Sequence, residues 1–127
     1  MTTTQDKVRI GSYWVTSWGY DQTNYDYLIV ERVSASGKTA QCRMIRPIKL
    51  GEAQQTDILM AGGERYGEAF DMQIRSLPYY DGPVLRGSYP YLSRLDTPQA
   101  MKARRLDTFN LSNLGDVHYE TKPEFGH

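Results

Sequence analysis

Apolar and polar positions alternate most clearly in the first half of the chain. In "KTAQCRMIRPI" (38–48), Ala40, Cys42, Met44 and Ile48 share one parity, while Thr39, Gln41 and Arg43 share the other. Side chains on a strand point alternately to opposite faces, so the first set is predicted to face inward and the second outward. "YDYLIVERVS" (25–34) reads as the clearest strand, with Leu28, Ile29 and Val30 at its middle, and "ASG" (35–37) supplies a short glycine-containing turn. Residues 25–48 therefore predict a β-hairpin. Pro47 cannot donate to a ladder and should mark its end or an edge position. Before it, "GSYWVTSW" (11–18) is dense in aromatic and β-branched types and predicts a first strand.

Further along, glycine and proline recur and the apolar clusters are too short for long helices. Residues 56–61, 69–77 and 89–95 are candidate strands, and "PYYDGP" (78–83) predicts a turn with Asp-Gly chemistry. One helix signal stands out. Asp96 or Thr97 can cap it, Pro98 fits its first position, and "QAMKARRL" follows with Lys102, Arg104 and Arg105 near the C-terminal end. "DVHYET" (116–121) predicts a closing strand. Many short strands, frequent turns and one short helix predict a mainly β domain. The expected form is a small, strongly bent antiparallel barrel or roll, SH3-like or OB-like. The expected organisation is one domain over 1–127, with an N-terminal arm (1–10) and a polar tail (122–127).

Composition narrows the function classes. Ten tyrosines and two tryptophans are many for 127 residues and suit half-buried sheet positions and binding surfaces. Fifteen basic and fifteen acidic residues cancel, so no global field draws the protein onto nucleic acid. A local patch remains open: Lys38, Arg43, Arg46 and Lys49 fall in a stretch without acids, while Asp21, Asp26, Glu31 and the 52–71 segment gather the opposite sign. The simpler alternative is that these are solvated strand faces. The lone Cys42 excludes an internal disulfide and fits a reducing compartment. "MTTTQDKVRI" lacks the apolar core of a signal peptide, and no apolar run approaches the about 20 residues of a membrane helix. These features predict a soluble, cytoplasmic protein.

Catalytic motifs are scarce. His118 and His127 are the only histidines and show no zinc spacing, so no metal or other cofactor is expected. Cys42 lies on the inward parity and reads as a small core residue rather than a thiolate. "AGGERYG" (61–67) has glycines but lacks the lysine and the strand-to-helix context of a phosphate loop. Asp21 with Asp26, and Glu64 with Glu68, cannot be placed face to face from sequence. Asp21 with His118 is the one acid/base pair worth testing.

"TSWGYDQTNYDY" (16–27) is more informative. Gly19 permits backbone conformations that other residues avoid, and Asp21 and Asn24 can bond nearby backbone groups in Asx-turns. One reading is a strand–loop–strand corner tied by Asp21 and Asn24 and anchored by Trp18 and Tyr25. The other keeps the loop but turns Trp18, Tyr20 and Gln22 outward to hold a base, a sugar or a peptide.

"SWGYDQTNYDYLIVERV" followed by "SGKTAQCRMI" resembles a group of small proteins from bacteriophages and mobile elements. The match rests on Trp18, Gly19, Tyr20, Asp21, Gln22, Thr23 and Asn24, with Tyr27 and Val30 in the strand that follows. "YPYLSR" (89–94) and "DVHYET" are similar to later strands of the group. Leu114, Gly115 and Asp116 replace its usual tryptophan–aspartate–glycine turn, and the helix-like stretch near 97–106 is extra. The resemblance implies a phage or mobile-element origin and a compact β-rich fold, and it carries no catalytic role.

The leading expectation is a non-enzymatic accessory protein that binds a host protein, such as a component of a defence system, through a tyrosine-rich surface. The alternative is a small-barrel nucleic-acid-binding protein using Arg43, Arg46 and Lys49 with Tyr20 for stacking. A third possibility is an enzyme acting on nucleotides or nucleic acid. The candidate binding residues are thus Trp18, Tyr20, Asp21, Gln22, Asn24, Arg43, Arg46 and Lys49.

Overall fold

The computed structural model describes residues 8–18, 23–90, 105–113 and 115–122. Nine strands are found among them: β1 (Tyr13–Trp18), β2 (Asn24–Val33), β3 (Thr39–Ile45), β4 (Ile48–Glu52), β5 (Thr56–Met60), β6 (Arg65–Ser76), β7 (Pro83–Tyr89), β8 (Arg105–Ser112) and β9 (His118–Thr121). Six form a closed antiparallel barrel in the order β1-β2-β3-β6-β7-β8, with β8 returning to pair with β1. The order follows the chain except where β4 and β5 are inserted. These two, with β9, form a separate three-stranded sheet in the order β4-β5-β9.

The expected 25–48 hairpin appears as β2 and β3, joined by a turn in which the Gly37 amide donates to the Ser34 carbonyl. Ala40, Cys42 and Met44 point into the barrel and are fully buried, as their parity predicts. Ile48 is a correction. Pro47 interrupts the ladder, Ile48 begins β4 in the other sheet, and its side chain is 39% exposed. Parity does not carry across a break in the strand.

Leu28, Ile29 and Val30 form a continuous apolar run because β2 is buried on both faces. On one side Leu28 and Val30 join Trp14, Met44, Met72, Leu85 and Phe109 in the barrel interior. On the other, Tyr27 and Ile29 meet Val15, Ile45, Leu59 and Ala61 beneath the three-stranded sheet. Tyr89 and Phe109 meet edge-to-face at 4.8 Å inside the barrel, the arrangement that aromatic quadrupoles favour. The arm is not wholly polar: Val8 is buried in the barrel core, and the Gly11 amide donates to the Val30 carbonyl.

Two glycines have a specific purpose. A Cβ on Gly63 would collide with the Arg46 carbonyl, so only glycine allows the chain to pass from β5 into β6 beside Arg46. Gly67 has φ +72 and lies where the β3–β6 register slips between Cys42 and Met44, a bulge that bends the wall. The glycines of "AGGERYG" thus serve a strand entry and a bulge.

Several strands differ from expectation. Residues 69–76 of the expected 69–77 strand are the latter part of a longer β6, and 56–61 matches β5 closely. Apart from Ile48 and Tyr89, β4 and β7 were not expected, nor was any of β8. Tyr89 ends β7, and residues 91–95 of the expected 89–95 strand lie outside the described residues. So do residues 96–104 of the expected helix, but Arg105 and Leu106 belong to β8, so a helix cannot run through 106. The 78–83 turn is present, with Gly82 at φ +103. Among the described residues, no helix is long and apolar enough to cross a membrane.

Candidate binding surfaces

The corner between β1 and β2 is fastened to β9. Trp18 and Asn24 face each other as the last pair of the β1–β2 ladder. Asn24 is 2% exposed, and its side-chain amide donates to the Trp18 carbonyl at 3.5 Å. The Thr23 amide donates to Thr121 Oγ1 and the Thr121 amide to the Thr23 carbonyl, both at 2.9 Å. The Tyr25 amide donates to Glu120 Oε2 at 3.0 Å. Asn24 therefore serves the corner and does not offer its side chain to a partner. Trp18 is half-buried. Tyr20, Asp21 and Gln22, with Gly19, lie outside the described residues, and so does the Asp21 half of the proposed acid/base pair.

Two buried polar contacts lie beside this corner. Inside the barrel, the Tyr89 hydroxyl donates to Asp26 Oδ2 at 2.7 Å, next to buried Thr16, which pairs with Asp26 across β1–β2. Between barrel and sheet, the Tyr27 hydroxyl and His118 Nδ1 are 2.9 Å apart, and the imidazole lies 4.9 Å from the Tyr25 ring centroid. Burial, reinforced by the Glu120 carboxylate, holds the Tyr27 phenol well above its usual range. Burial pushes the His118 imidazole down, opposed by Asp116. Both groups are thus neutral at pH 7, and either one can donate the shared proton. This geometry holds β9 against β2; the described partner of His118 is a phenol rather than a carboxylate.

The basic residues of β3, β4 and the link between them meet acids close by in space. Arg43 Nε lies 3.2 Å from Glu31 Oε1, and its Nη1 donates to the Gly67 carbonyl at 3.0 Å. Arg46 Nε lies 3.5 Å from Glu64 Oε1, with its guanidinium 4.7 Å from the centroid of the Tyr66 ring. Lys49 Nζ lies 2.7 Å from Glu52 Oε1 and 3.4 Å from Asp57 Oδ1. Charges segregated along the sequence are therefore interleaved in space. The surface they make is close to neutral, which removes most of the long-range attraction a phosphate backbone would feel. Arg46, Tyr66, Pro47 and Tyr25 border a cleft of about 190 Å³.

Cys42 is buried in the barrel, and burial, followed by Asp71 and Glu31, pushes its thiol up to about 12. It is a core thiol. Among the described residues, no three histidine, cysteine or carboxylate side chains come together as a metal-ligand set.

Two further surfaces were not anticipated. The first is the outer face of the three-stranded sheet. Leu59 turns inward, so its neighbours Ile58 and Met60 turn outward, opposite Tyr119 and Ile48 respectively. Tyr119 and Leu50 are each 53% exposed, and Val117, just before β9, is exposed as well. β4 is an edge strand that pairs with β5 alone among the described residues. The second is the outer face of the β6–β7 hairpin, where Arg75, Arg86, Gln73 and Ser88 line an open groove of about 720 Å³. Its turn carries Tyr79, 96% exposed, and the exposed Tyr80. Alternation in "FDMQIRS" and "PVLRGSY" was the available signal for this face, since Met72 and Leu85 point in while Gln73, Arg75 and Arg86 point out. Compared with protein-family models, curated proteins and solved structures, the chain matches none.

Proposed function

We propose that this chain is a non-enzymatic accessory protein of a bacteriophage or mobile element that works by binding a host protein, for example a component of a defence system, in the bacterial cytoplasm. The observation that carries the reading is the outer face of the three-stranded sheet. Ile48, Leu50 and Tyr119 are exposed there, with Ile58 and Met60 between them, and Val117, just before β9, is exposed as well. Exposed apolar side chains gathered on one sheet face are the kind of patch on which protein–protein interfaces centre, while Lys49, Glu52 and Lys122 pair with one another on the parity of Leu59. The edge of β4, which pairs with β5 alone among the described residues, adds backbone groups on which an extended segment of the partner can be laid. The likeness to SH3-like and OB-like barrels belongs to this reading as a likeness of scale and use: a small closed barrel presenting loops and edges to a partner. The strand order itself is a next-neighbour meander carrying an inserted pair of strands.

The test is affinity capture from host lysate with the wild-type chain and with a Leu50→Glu/Tyr119→Glu variant of matching thermal midpoint. Specific capture by the wild type that the variant loses supports the reading. Equal capture by both, or none beyond chaperones, contradicts it.

A further inference from the structure

The β6–β7 hairpin presents a different chemistry from the apolar sheet. Gln73 and Arg86 pair directly across the two strands, and Arg75, two residues beyond Gln73, shares their outward face. Arg75 and Arg86 are thus diagonal neighbours, about 7–8 Å apart at the backbone by sheet geometry. Unlike the arginines of β3 and its flank, they are not matched to carboxylates among the described residues. Arg75 Nη1 donates to Gln73 Oε1 at 3.3 Å, and Arg86 Nη1 donates to Thr108 Oγ1 at 2.7 Å. Both acceptors are neutral, so they orient each guanidinium without cancelling its charge.

Beyond Arg75 the hairpin ends in a turn held by the Tyr80 amide on the Leu77 carbonyl, at 3.1 Å, and the Gly82 amide on the Tyr80 carbonyl, at 3.2 Å. This turn holds two successive tyrosines in solvent, which a chain gains nothing from by folding alone. Acid is present at both ends, Asp71 at the far end of the groove and Asp81 in the turn, so the positive charge is concentrated between them.

We propose that this face binds a single strand of nucleic acid, with Arg75 and Arg86 taking backbone phosphates and Tyr79 and Tyr80 stacking on unpaired bases. Two guanidiniums spaced along a groove suit a phosphate chain, and exposed aromatic rings in the turn that ends the same hairpin suit bases freed from a duplex. The polar lining from Thr39, Gln73 and Ser88 accommodates sugars and base edges without demanding one sequence. This surface is separate from the apolar sheet and stands or falls independently of the host-protein reading.

Fluorescence anisotropy with labelled oligo-dT and oligo-rU, and with a duplex of equal length, tests the site on the full chain. The expected result is binding of the single strands at low ionic strength, with the duplex much weaker. Arg75→Gln/Arg86→Gln should lower the slope of log affinity against log salt by about 1.4, roughly 0.7 for each phosphate that is no longer neutralised. Tyr79→Ala and Tyr80→Ala should each weaken binding about fivefold to hundredfold with little change in that slope. Tyr79 is almost fully exposed, so Tyr79→Ala keeps the fold and gives a clean readout. Failure to bind either oligonucleotide at low salt would overturn the proposal. So would equal binding of the duplex, affinity unchanged in the tyrosine variants, or equally tight binding of polyglutamate, which would make the face an acidic-peptide site. Oligonucleotide binding retained by Leu50→Glu/Tyr119→Glu is the expected sign that the two surfaces are separate.

Discussion

Tyr89 and Asp26, 63 residues apart in the chain, meet inside the barrel through a 2.7 Å hydrogen bond from the phenol to the carboxyl group. Tyr89 is the last residue of β7 and Asp26 the third of β2, so the bond joins non-adjacent strands across the lumen. Removing the donor deprives a largely buried carboxyl group of this hydrogen-bond partner. Tyr89→Phe should therefore destabilise the fold by about 1–3 kcal/mol in chemical denaturation. A Tyr89→Phe/Asp26→Asn double mutant should cost less than the sum of the single changes, because the two side chains interact.

Glu120 fastens the corner. Its carboxylate accepts from the Tyr25 amide while itself being 6% exposed. Glu120→Ala should cost about 1–3 kcal/mol and should raise hydrogen exchange at the Tyr25 amide more than at amides in the middle of β3.

His118 makes stability depend on pH. Its imidazole is pushed down by burial, so the folded chain binds this proton less readily than the unfolded chain does. The contribution is fully present above the usual histidine pKa of about 6.5 and is lost as pH falls below it. Thermal midpoints should decline between about pH 7.5 and 5.5, and His118→Gln should flatten that decline.

Cys42 is enclosed by the barrel, with its thiol pushed up to about 12. Iodoacetamide at pH 8 should leave the native protein unmodified over hours and should label it promptly in denaturant. Prompt labelling of the native chain would mean that the barrel opens far more readily than its packing implies.

The two halves of the chain differed in how much their sequences disclosed. Residues 25–45 were legible because β2 and β3 are regular, share a short turn and place Ala40, Cys42 and Met44 in one core. Ile48 departs from the parity of β3 because Pro47 intervenes and the chain changes sheets at that point. β7 escaped notice because "PVLRGSY" contains a proline at its start and a glycine, Gly87, in its middle. That glycine lies where a Cβ would come within 3.1 Å of Met72 Sδ, a packing reason invisible without the partner strand. The charged residues were legible by type but not by pairing: nothing in the sequence places Glu31 beside Arg43, or Glu64 beside Arg46. Similarly, Asn24 was recognisable as a corner residue, but its burial depends on β9, nearly a hundred residues later. The exposed sheet face could not be read at all, since it exists only once β9 joins β5 and turns Tyr119 toward solvent.

The claim that the outer sheet face meets a host protein is tested most directly by site-specific photo-crosslinking in host cells. A photoreactive amino acid is placed at Leu50, on that face, or as a control at Glu68, an exposed position on β6. A discrete adduct with a host polypeptide is expected from position 50 and none from position 68. Adducts of equal yield from both positions, or no adduct from position 50, would contradict it.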